Sequence, residues 1–223
     1  MCGRYTLASC KLTRFEQALK VTLPELEARY NIAPGQANPI IHATAAGYQL
    51  GLFQWGLVPH WLKEPKTQYS TINAKVETVA DKPFYRDAFR QRRCLVPADG
   101  YYEWRKTGDG KQPYYIHQGG ELFAFAGLWE TWAGDGAEPF ESYTIITGPA
   151  AEAVADLHPR MPLALPERVW SAWLDPATSR AECQTLLEAP ITAWHHHPIS
   201  TRVNNPRNDS PDLVQPQGAP GGE

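Results

Sequence analysis

No stretch of this sequence is long and apolar enough to cross a membrane, and no stretch is typical of a secretory signal. A membrane-spanning helix needs about 18 or more consecutive apolar residues, and charged residues interrupt the chain throughout its length. Near the N-terminus, Lys11 and Arg14 break the apolar core that a signal peptide requires. The sequence therefore predicts a cytoplasmic protein with no membrane partner.

Cysteine is scarce, and its spacing fits neither a zinc site nor a disulfide framework. The four cysteines are Cys2, Cys10, Cys94 and Cys183. No two of them have C-x-x-C spacing, and disulfides are rare in a reducing compartment. Three adjacent histidines at 195–197 are accompanied by no further ligand set. The sequence thus predicts no metal and no cofactor.

An excess of positive charge is also missing. The chain has 21 Lys and Arg against 24 Asp and Glu, a net charge of −3. This balance excludes a protein that coats nucleic acid by bulk electrostatics, although it permits a local basic groove. Proline, glycine and tryptophan are plentiful instead, with 20, 17 and 8 residues. They predict a loop-rich fold whose tryptophans pack in a core or stack on bases.

The chain begins Met1-Cys2-Gly3-Arg4-Tyr5, and its second residue offers unusual chemistry. Cysteine is small enough to permit removal of the initiator methionine, which would give Cys2 a free α-amine beside its thiol. The reference pKa of an α-amine is about 7.7–8.0 and that of a cysteine thiol is about 8.5, so a usable fraction of each group is nucleophilic near neutral pH. Such a 1,2-aminothiol condenses with an aldehyde to a Schiff base and can close to a thiazolidine. The alternative is an inert cysteine at a frayed terminus.

Helices are predicted where apolar residues recur every three or four positions behind capping residues. Capping-box patterns at 13–16 and 179–182 each begin a helix, and further helices are predicted over 83–92, 150–157 and 165–174. The 83–92 helix carries the densest basic cluster of the chain, which is either a phosphate contact or a solvated face. Its arginines are Arg86, Arg90, Arg92 and Arg93.

Strands are predicted from alternating patterns between turn residues. A hairpin covers 40–44 and 48–55, and a strand over 72–78 places Asn73, Lys75 and Glu77 on one face. Three further strands are predicted to share one antiparallel sheet, and they cover 113–117, 122–129 and 142–147. Gly-Asp-Gly segments at 108–110 and 134–136 supply turns. Together these elements predict a single α+β domain with a mixed, mostly antiparallel, barrel-like β core and peripheral helices.

Two ionisable residues occupy positions that suit proton transfer. Glu103 lies among three aromatic residues, and burial with them would raise its pKa toward neutrality, whereas pairing with Arg105 or Lys106 would lower it. His158 lies between a predicted helix end and Pro159, which favours a rigid, projecting position.

One tryptophan differs in its surroundings from the rest. Trp61 lies among prolines and lysines, which favours exposure and suits stacking on a base beside a phosphate backbone.

Seven segments resemble the SRAP family, the abasic-site processing proteins first labelled SOS-response-associated peptidases. They are residues 2–5 (CGRY), 30–35 (YNIAPG), 55–59 (WGLVP), 73–78 (NAKVET), 94–104 (CLVPADGYYEW), 158–162 (HPRMP) and 203–205 (VNN). They follow the family's order over nearly the whole chain. We therefore expect an SRAP-like domain over 1–214 and a disordered Gly/Pro-rich tail over 215–223.

The resemblance implies a monomeric protein that binds single-stranded DNA at an abasic site and forms a covalent thiazolidine with the ring-opened deoxyribose. Cys2 would be the nucleophile, and Asn73 would orient the sugar or the cysteine amine. Glu103 and His158 would transfer protons. The implied DNA-binding residues are Arg4, Lys75 and Arg160 at phosphates, Trp61 and Leu62 beside the lesion, and Pro34 at the pocket, with Arg86 added from the basic helix. Such a protein would join the nucleoid when bound to DNA.

Three positions depart from the family's pattern. Lys75 replaces an arginine and loses the bidentate fork that suits phosphate. Leu62 follows Trp61 where some relatives have a second tryptophan, and leucine stacks poorly. The three histidines at 195–197 interrupt a Trp-His-Pro motif by what looks like a two-residue insertion. None of these changes affects the covalent chemistry.

Two other readings of the chain remain open. Cys2, His158 and Glu103 could serve a cysteine peptidase or N-terminal-nucleophile hydrolase, and in that reading the protein could remove its own Met1. The chain could also be a non-covalent binder of modified or single-stranded DNA. Within the SRAP reading, β-elimination from the Schiff base would give weak lyase activity in competition with thiazolidine closure.

Overall fold

Short strands make up most of the regular structure, as the proline and glycine content predicts. The computed structural model describes residues 2–65, 68–108, 110–134 and 136–217. The strands are β1 Tyr5–Leu7, β2 Arg29–Ile32, β3 Ala37–Thr44, β4 Gly47–Trp55, β5 Asn73–Lys75, β6 Arg93–Ala98, β7 Gly100–Thr107, β8 Gly110–His117, β9 Phe123–Trp132, β10 Phe140–Pro149, β11 Arg160–Pro162, β12 Ala164–Leu165 and β13 His195–Pro198.

Within the described residues, five strands close into a barrel. β3 pairs with β4 and β6, β6 pairs with β9, and β9 pairs with β10, all antiparallel. The parallel pairing of β10 with β4 completes the ring, and β5, β11 and β12 extend it. The mixed, mostly antiparallel, barrel-like core predicted from the sequence is confirmed.

A second sheet has the strand order β13-β8-β7-β1-β2. On one of its faces, Tyr5 and Tyr101 pair across β1 and β7 and join the same buried cluster as Cys2 and the barrel interior. On the other face, Tyr102 and Tyr115 pack with the C-terminal segment in a smaller cluster. Cys2, which directly precedes β1, is therefore enclosed between the second sheet and the barrel.

The prediction that strands 113–117, 122–129 and 142–147 share one sheet is wrong. β9 and β10 belong to the barrel, whereas β8 pairs with β7 and β13 in the second sheet. Gly119 and Gly120 both have positive φ, +69° and +92°. Glycine adopts this backbone without steric cost, so the chain changes direction between β8 and β9.

Short helices lie at the edges of the two sheets. They are α1 Thr13–Leu19, α2 Arg86–Gln91, α3 Trp170–Leu174 and α4 Arg180–Leu186. The predicted capping box at Ser179 and Glu182 is confirmed at α4. The one predicted at Thr13 is wrong, because Leu12 is the N-cap and the Glu16 carboxylate accepts the Leu23 amide at 2.9 Å.

Two predicted helices are shorter than the pattern suggested, and both have a local cause. Over 150–157 only a 3₁₀ turn, Glu152–Val154, forms, because the amides of Val154 and Ala155 donate three residues back, to the Ala151 and Glu152 carbonyls at 3.0 and 3.4 Å. Over 165–174, α3 begins at Trp170 after a 3₁₀ turn. Leu165 precedes a proline and is held extended in β12.

The strand predicted over 72–78 ends early. The amides of Thr78 and Val79 both donate to the Lys75 carbonyl, at 3.0 and 2.9 Å, which turns the chain after β5. Glu77 therefore lies in a turn and not on the strand face. The 40–44 and 48–55 hairpin, by contrast, is confirmed as β3 and β4, with Gly47 at a φ of +114°.

Several sequence features lie outside the described residues or at their limits. Met1, Asp109, Asp135 and residues 218–223 are not described. The Gln217 amide donates to the Pro198 carbonyl at 2.9 Å, so packed structure extends to that residue, and the domain boundary at 214 stays a prediction. None of the described helices combines the length and apolar character needed to span a bilayer.

Candidate active site around Cys2

Cys2 is completely buried at the start of the second sheet. Its Sγ lies 3.7 Å from the Arg4 carbonyl oxygen, to which the thiol donates. Burial raises the pKa of the Cys2 thiol well above its usual value, and the nearby Glu103 carboxylate raises it further. The thiol is therefore neutral near pH 7, and it is a poor nucleophile until its proton is removed.

Asn73 holds the main chain of Cys2. It lies in β5, where pairing with Ile145 of β10 fixes its position, and its Nδ2 donates to the Cys2 carbonyl oxygen at 2.7 Å. The Tyr85 hydroxyl donates to the Asn73 carbonyl at 3.4 Å. Asn73 Oδ1 is buried and has no hydrogen-bond partner within the described part of the chain. The amide thus anchors Cys2 and keeps one acceptor uncommitted.

Glu103 is buried on β7, with 5% of its surface exposed. Its charge acts on the Cys2 thiol, which places the two groups in one electrostatic environment. The surface pairing considered from the sequence does not form with Arg105, since this exposed residue contacts Asp156 at 3.5 Å. Glu103 is therefore buried on β7, and its proton-transfer role stays a prediction.

His158 lies in the segment between the 3₁₀ turn and β11. His158 Nδ1 lies 3.0 Å from both the amide nitrogen and the carbonyl oxygen of Arg160, so it faces one donor and one acceptor of the main chain. β11 and β5 flank β10, and both pair with Thr147. β5 and β11 thus lie at the same end of the barrel, with Asn73 opposite Ile145 and Arg160, two residues after His158, opposite Pro149.

Two predicted phosphate contacts lie beside this end of the barrel, and one already has an acidic partner. Arg160 makes a bidentate pair with Glu77, Nη1 to Oε1 at 2.8 Å and Nη2 to Oε2 at 3.0 Å, and Nη2 also reaches the Thr147 carbonyl. Hydrogen bonding from Arg160 lowers the pKa of Glu77, with a smaller effect from Lys75. Lys75 itself is exposed. Glu77 lies within a family motif, but its pairing with Arg160 was not predicted from that motif.

Arg4 binds the protein itself. Its Nη1 donates to Asn31 Oδ1 and to the Val203 carbonyl, both at 2.7 Å, so this nitrogen ties β2 to the C-terminal segment. Burial lowers the pKa of Arg4. A phosphate role for Arg4 would have to use its other nitrogens. Pro34 is exposed in the turn after β2.

An exposed aromatic cluster lies on the loop before β5. Trp61 is 46% exposed and Tyr69 is 71% exposed, and the half-buried Phe84 contacts both rings edge-on, at centroid distances of 5.3 and 5.9 Å. Leu62 is half-buried, and its carbonyl accepts the Trp132 indole N–H at 2.8 Å. The exposure predicted for Trp61 is confirmed, whereas the neighbouring rings of Tyr69 and Phe84 were not predicted, because they lie eight and 23 positions further along the chain.

The four arginines between 86 and 93 do not form one basic surface. Arg93 is buried, and its guanidinium donates to the carbonyls of Phe89, Arg90, Trp173 and Asp175. Arg92 pairs with Glu130 at 2.8 Å. The predicted cluster is wrong for these two, because α2 ends at residue 91 and β6 carries Arg93 inward. Arg86 and Arg90 are exposed.

The three adjacent histidines form β13 and pair with β8. His117 of β8 contacts the rings of His195 and His197, at centroid distances of 5.8 and 5.4 Å. Among the described residues, no three His, Cys, Asp or Glu side chains are placed to hold a metal ion together.

Comparison with other proteins gives consistent matches along the chain. The family model described as SOS response associated peptidase (SRAP) matches residues 1–206. The abasic site processing protein YoqW of Bacillus subtilis is 37% identical, over 96% of this chain and 99% of that protein. The abasic site processing protein YedK of Escherichia coli is 30% identical, over 97% of this chain and all of that one.

Longer relatives and solved structures match as well. The abasic site processing protein HMCES of Xenopus tropicalis is 33% identical over 83% of this chain, which spans 65% of that protein. A crystal structure of a protein from Bacteroides thetaiotaomicron superposes with a TM-score of 0.82 at 27% identity, covering 97% of this chain and 100% of that one. On the family model and on relatives at 30% identity or more over nearly their full length, the chain belongs to the SRAP family.

Proposed function

We propose that this protein processes abasic sites in single-stranded DNA by trapping the ring-opened deoxyribose on Cys2. The observation that carries the proposal is the enclosure of Cys2 by Asn73 and Glu103 at the start of a sheet. The names of the relatives support it, since they are called abasic site processing proteins. The proposal requires removal of Met1, which frees the α-amine of Cys2.

The proposed reaction joins an aldehyde to a 1,2-aminothiol with loss of one water. The Cys2 amine attacks C1′ of the open sugar and gives a carbinolamine, whose hydroxyl then leaves as water to form an imine. The thiol sulfur adds to the imine carbon, and the thiol proton passes to the nitrogen, which closes the thiazolidine. Because the buried thiol is neutral, we infer that the amine reacts first and that the thiol closes the ring afterwards.

Polar residues of the site would supply the proton transfers that these reaction steps need. Carbinolamine collapse requires an acid beside the departing hydroxyl, and ring closure requires a base for the thiol. We assign these roles to Glu103 and His158, with Asn73 orienting Cys2 through its carbonyl. Thiazolidine closure would compete with β-elimination from the imine, which favours protection of the lesion over strand cleavage and leaves lyase activity as a weak side activity.

Recognition of the strand would use backbone and stacking contacts and no base-specific code. The exposed rings of Trp61 and Tyr69 offer sequence-tolerant stacking surfaces, with Leu62 at their edge. The phosphate contacts we propose are Lys75, Arg160 and Arg86, with Arg4 contributing through nitrogens not bound to Asn31. Pro34 would line the approach to Cys2.

The rival hydrolase function finds less support in the site. A thiol hydrolase relies on a thiolate that is stabilised by a cationic neighbour. The Cys2 thiol instead lies near the Glu103 carboxylate, and burial raises its pKa. A non-covalent binder remains distinguishable by experiment.

The test is a cross-linking assay with an abasic single-stranded oligonucleotide, read on a denaturing gel and by intact mass. We expect the wild-type protein, without Met1, to give one shifted band whose mass equals protein plus DNA minus one water. Cys2→Ala should abolish the band. Cys10→Ser, which removes an exposed thiol, should leave it unchanged. Binding without a band would leave the non-covalent reading, and cross-linking by Cys2→Ala would refute the role of Cys2.

A further inference from the structure

The Tyr101 side chain carries a buried hydroxyl that the fold does not use. Tyr101 has no exposed surface, and its hydroxyl has no hydrogen-bond partner within the described part of the chain. Neighbouring buried tyrosines differ, since Tyr5 and Tyr143 bond each other at 2.8 Å and Tyr102 donates to the Tyr30 carbonyl at 2.6 Å. An unpaired buried hydroxyl destabilises a fold, so phenylalanine would serve packing better at position 101.

Strand alternation shows which way this hydroxyl-bearing side chain faces. Tyr102 and Trp104 of β7 pack with the C-terminal segment in the smaller cluster. Tyr101 belongs to the main cluster, which contains Cys2, and Glu103, two residues along, shares its face. Burial raises the pKa of the Tyr101 phenol most, and the proximity of Cys2 and of the Glu103 carboxylate raises it further. The phenol is therefore protonated near neutral pH and is available as a donor beside Cys2.

A second uncommitted polar atom lies in the same surroundings. Asn73 Oδ1 is buried without a partner among the described residues, while Nδ2 of the same amide holds the Cys2 carbonyl. The site thus offers one donor and one acceptor. The ring of Tyr101 is packed edge-on against Phe125 and Trp194, at centroid distances of 6.0 and 5.4 Å, so its hydroxyl is the part left to contact a ligand.

We propose that Tyr101 is a further substrate-contacting residue, whose phenol donates a hydrogen bond to the C1′ oxygen of the ring-opened deoxyribose. This inference rests on the proposed function. The bond would hold the aldehyde oxygen during attack by the Cys2 amine and then the hydroxyl of the carbinolamine. Asn73 Oδ1 would accept from a sugar hydroxyl. A base or a phosphate fits less well, because one hydroxyl and one amide oxygen present little charge.

The test compares Tyr101→Phe with the wild type, which differ by one hydroxyl. Under single-turnover conditions with saturating protein, we expect cross-linking to an abasic oligonucleotide to slow by about three- to tenfold, the effect of one lost neutral hydrogen bond. Affinity for an oligonucleotide carrying tetrahydrofuran, which lacks the C1′ oxygen, should not change. The thermal unfolding midpoint should stay equal or rise, because the variant loses an unpaired buried hydroxyl.

The matched control is Tyr102→Phe, which removes a hydroxyl that the fold does use. We expect this variant to unfold at a lower temperature and to cross-link at the wild-type rate. A Tyr101→Phe variant that cross-links at the wild-type rate would overturn the inference and leave the proposed function intact. A Tyr101→Phe variant with a lower unfolding midpoint and weaker binding of the tetrahydrofuran oligonucleotide would show that Tyr101 has a structural role, which would also overturn the inference. A wild-type protein that forms no cross-link would remove the proposed function and this inference together.

Discussion

Two buried asparagines of this chain, Asn31 and Asn73, differ in how many of their polar side-chain atoms are hydrogen-bonded. Asn31 Oδ1 accepts from Arg4 at 2.7 Å, and its Nδ2 is within bonding distance of the carbonyls of Val203, Asn205 and Asn208. Asn73 makes one side-chain hydrogen bond, to Cys2, and its Oδ1 has no partner in the described structure.

The difference separates a structural network from a site that retains bonding capacity. Buried polar groups are normally satisfied, and leaving one unpaired costs stability. Both polar side-chain atoms of Asn31 follow that rule and fasten the C-terminal segment to β2, while the Nε of its partner Arg4 has no bond within the described residues. Around Asn73, the buried atoms that depart from it include Asn73 Oδ1 and the Tyr101 hydroxyl, which lie near Cys2. Such departures concentrate where a ligand completes the network.

The strongest test of this comparison is Asn31→Ala. The substitution removes every side-chain bond of Asn31 and takes one acceptor from the partly buried Arg4, so we expect a loss of about 3 kcal/mol in the free energy of unfolding. Urea denaturation measures it. Cross-linking of the folded fraction at low temperature should remain. A loss below about 1 kcal/mol would mean that this network does not hold the C-terminal segment.

Asn73→Ala should reduce the cross-linking rate more than it reduces stability, the reverse of Asn31→Ala. Only one hydrogen bond is lost, so the free energy of unfolding should fall by about 1 kcal/mol. The cross-linking rate should fall further, by about 10²-fold, because a reacting group displaced by about 1 Å loses that much. Single-turnover cross-linking beside urea denaturation separates the two effects. If Asn31→Ala and Asn73→Ala lost equal amounts of unfolding free energy and of cross-linking rate, the distinction between the two regions would not hold.

Short motifs predicted the residues of the candidate site, which stay a prediction, and the predicted barrel-like core is confirmed. The motifs could not show the difference between Asn31 and Asn73, since both lie in family motifs and differ only in what surrounds them. Asn31 depends on carbonyls more than 170 positions away. No local pattern records such contacts.

The arginines show the same limit. Arg93 belongs by sequence to a basic cluster, yet the start of β6 turns it inward onto carbonyl groups. Arg160 carries a carboxylate partner 83 positions away, which spacing alone does not indicate. Charge density along the chain therefore predicted a surface for Arg86 and Arg90, but it did not predict which arginines the fold itself would bind.

The smallest expected effect concerns Glu77, the acidic partner on the Asn73 side. Arg4 is bound by neutral groups, whereas both terminal nitrogens of Arg160 face the Glu77 carboxylate, which competes with any phosphate. If Arg160 contacts the strand, Glu77→Gln should raise affinity for tetrahydrofuran single-stranded DNA by about two- to fivefold at low salt, the scale of a partly exposed ion pair. Salt should reduce the gain. Fluorescence anisotropy measures both.

Glu167→Gln provides the matched control, since it breaks an exposed ion pair with Arg14 and changes the net charge by the same amount.

The stability contributed by Glu77 should also depend on pH. Its folded pKa is lowered from 4.5, so its contribution to stability is complete above that value and disappears as the pH falls through the folded pKa. The stability difference between wild type and Glu77→Gln should therefore vanish in acid. Weaker DNA binding by Glu77→Gln would mean that the carboxylate orients Arg160 for phosphate and does not compete with it.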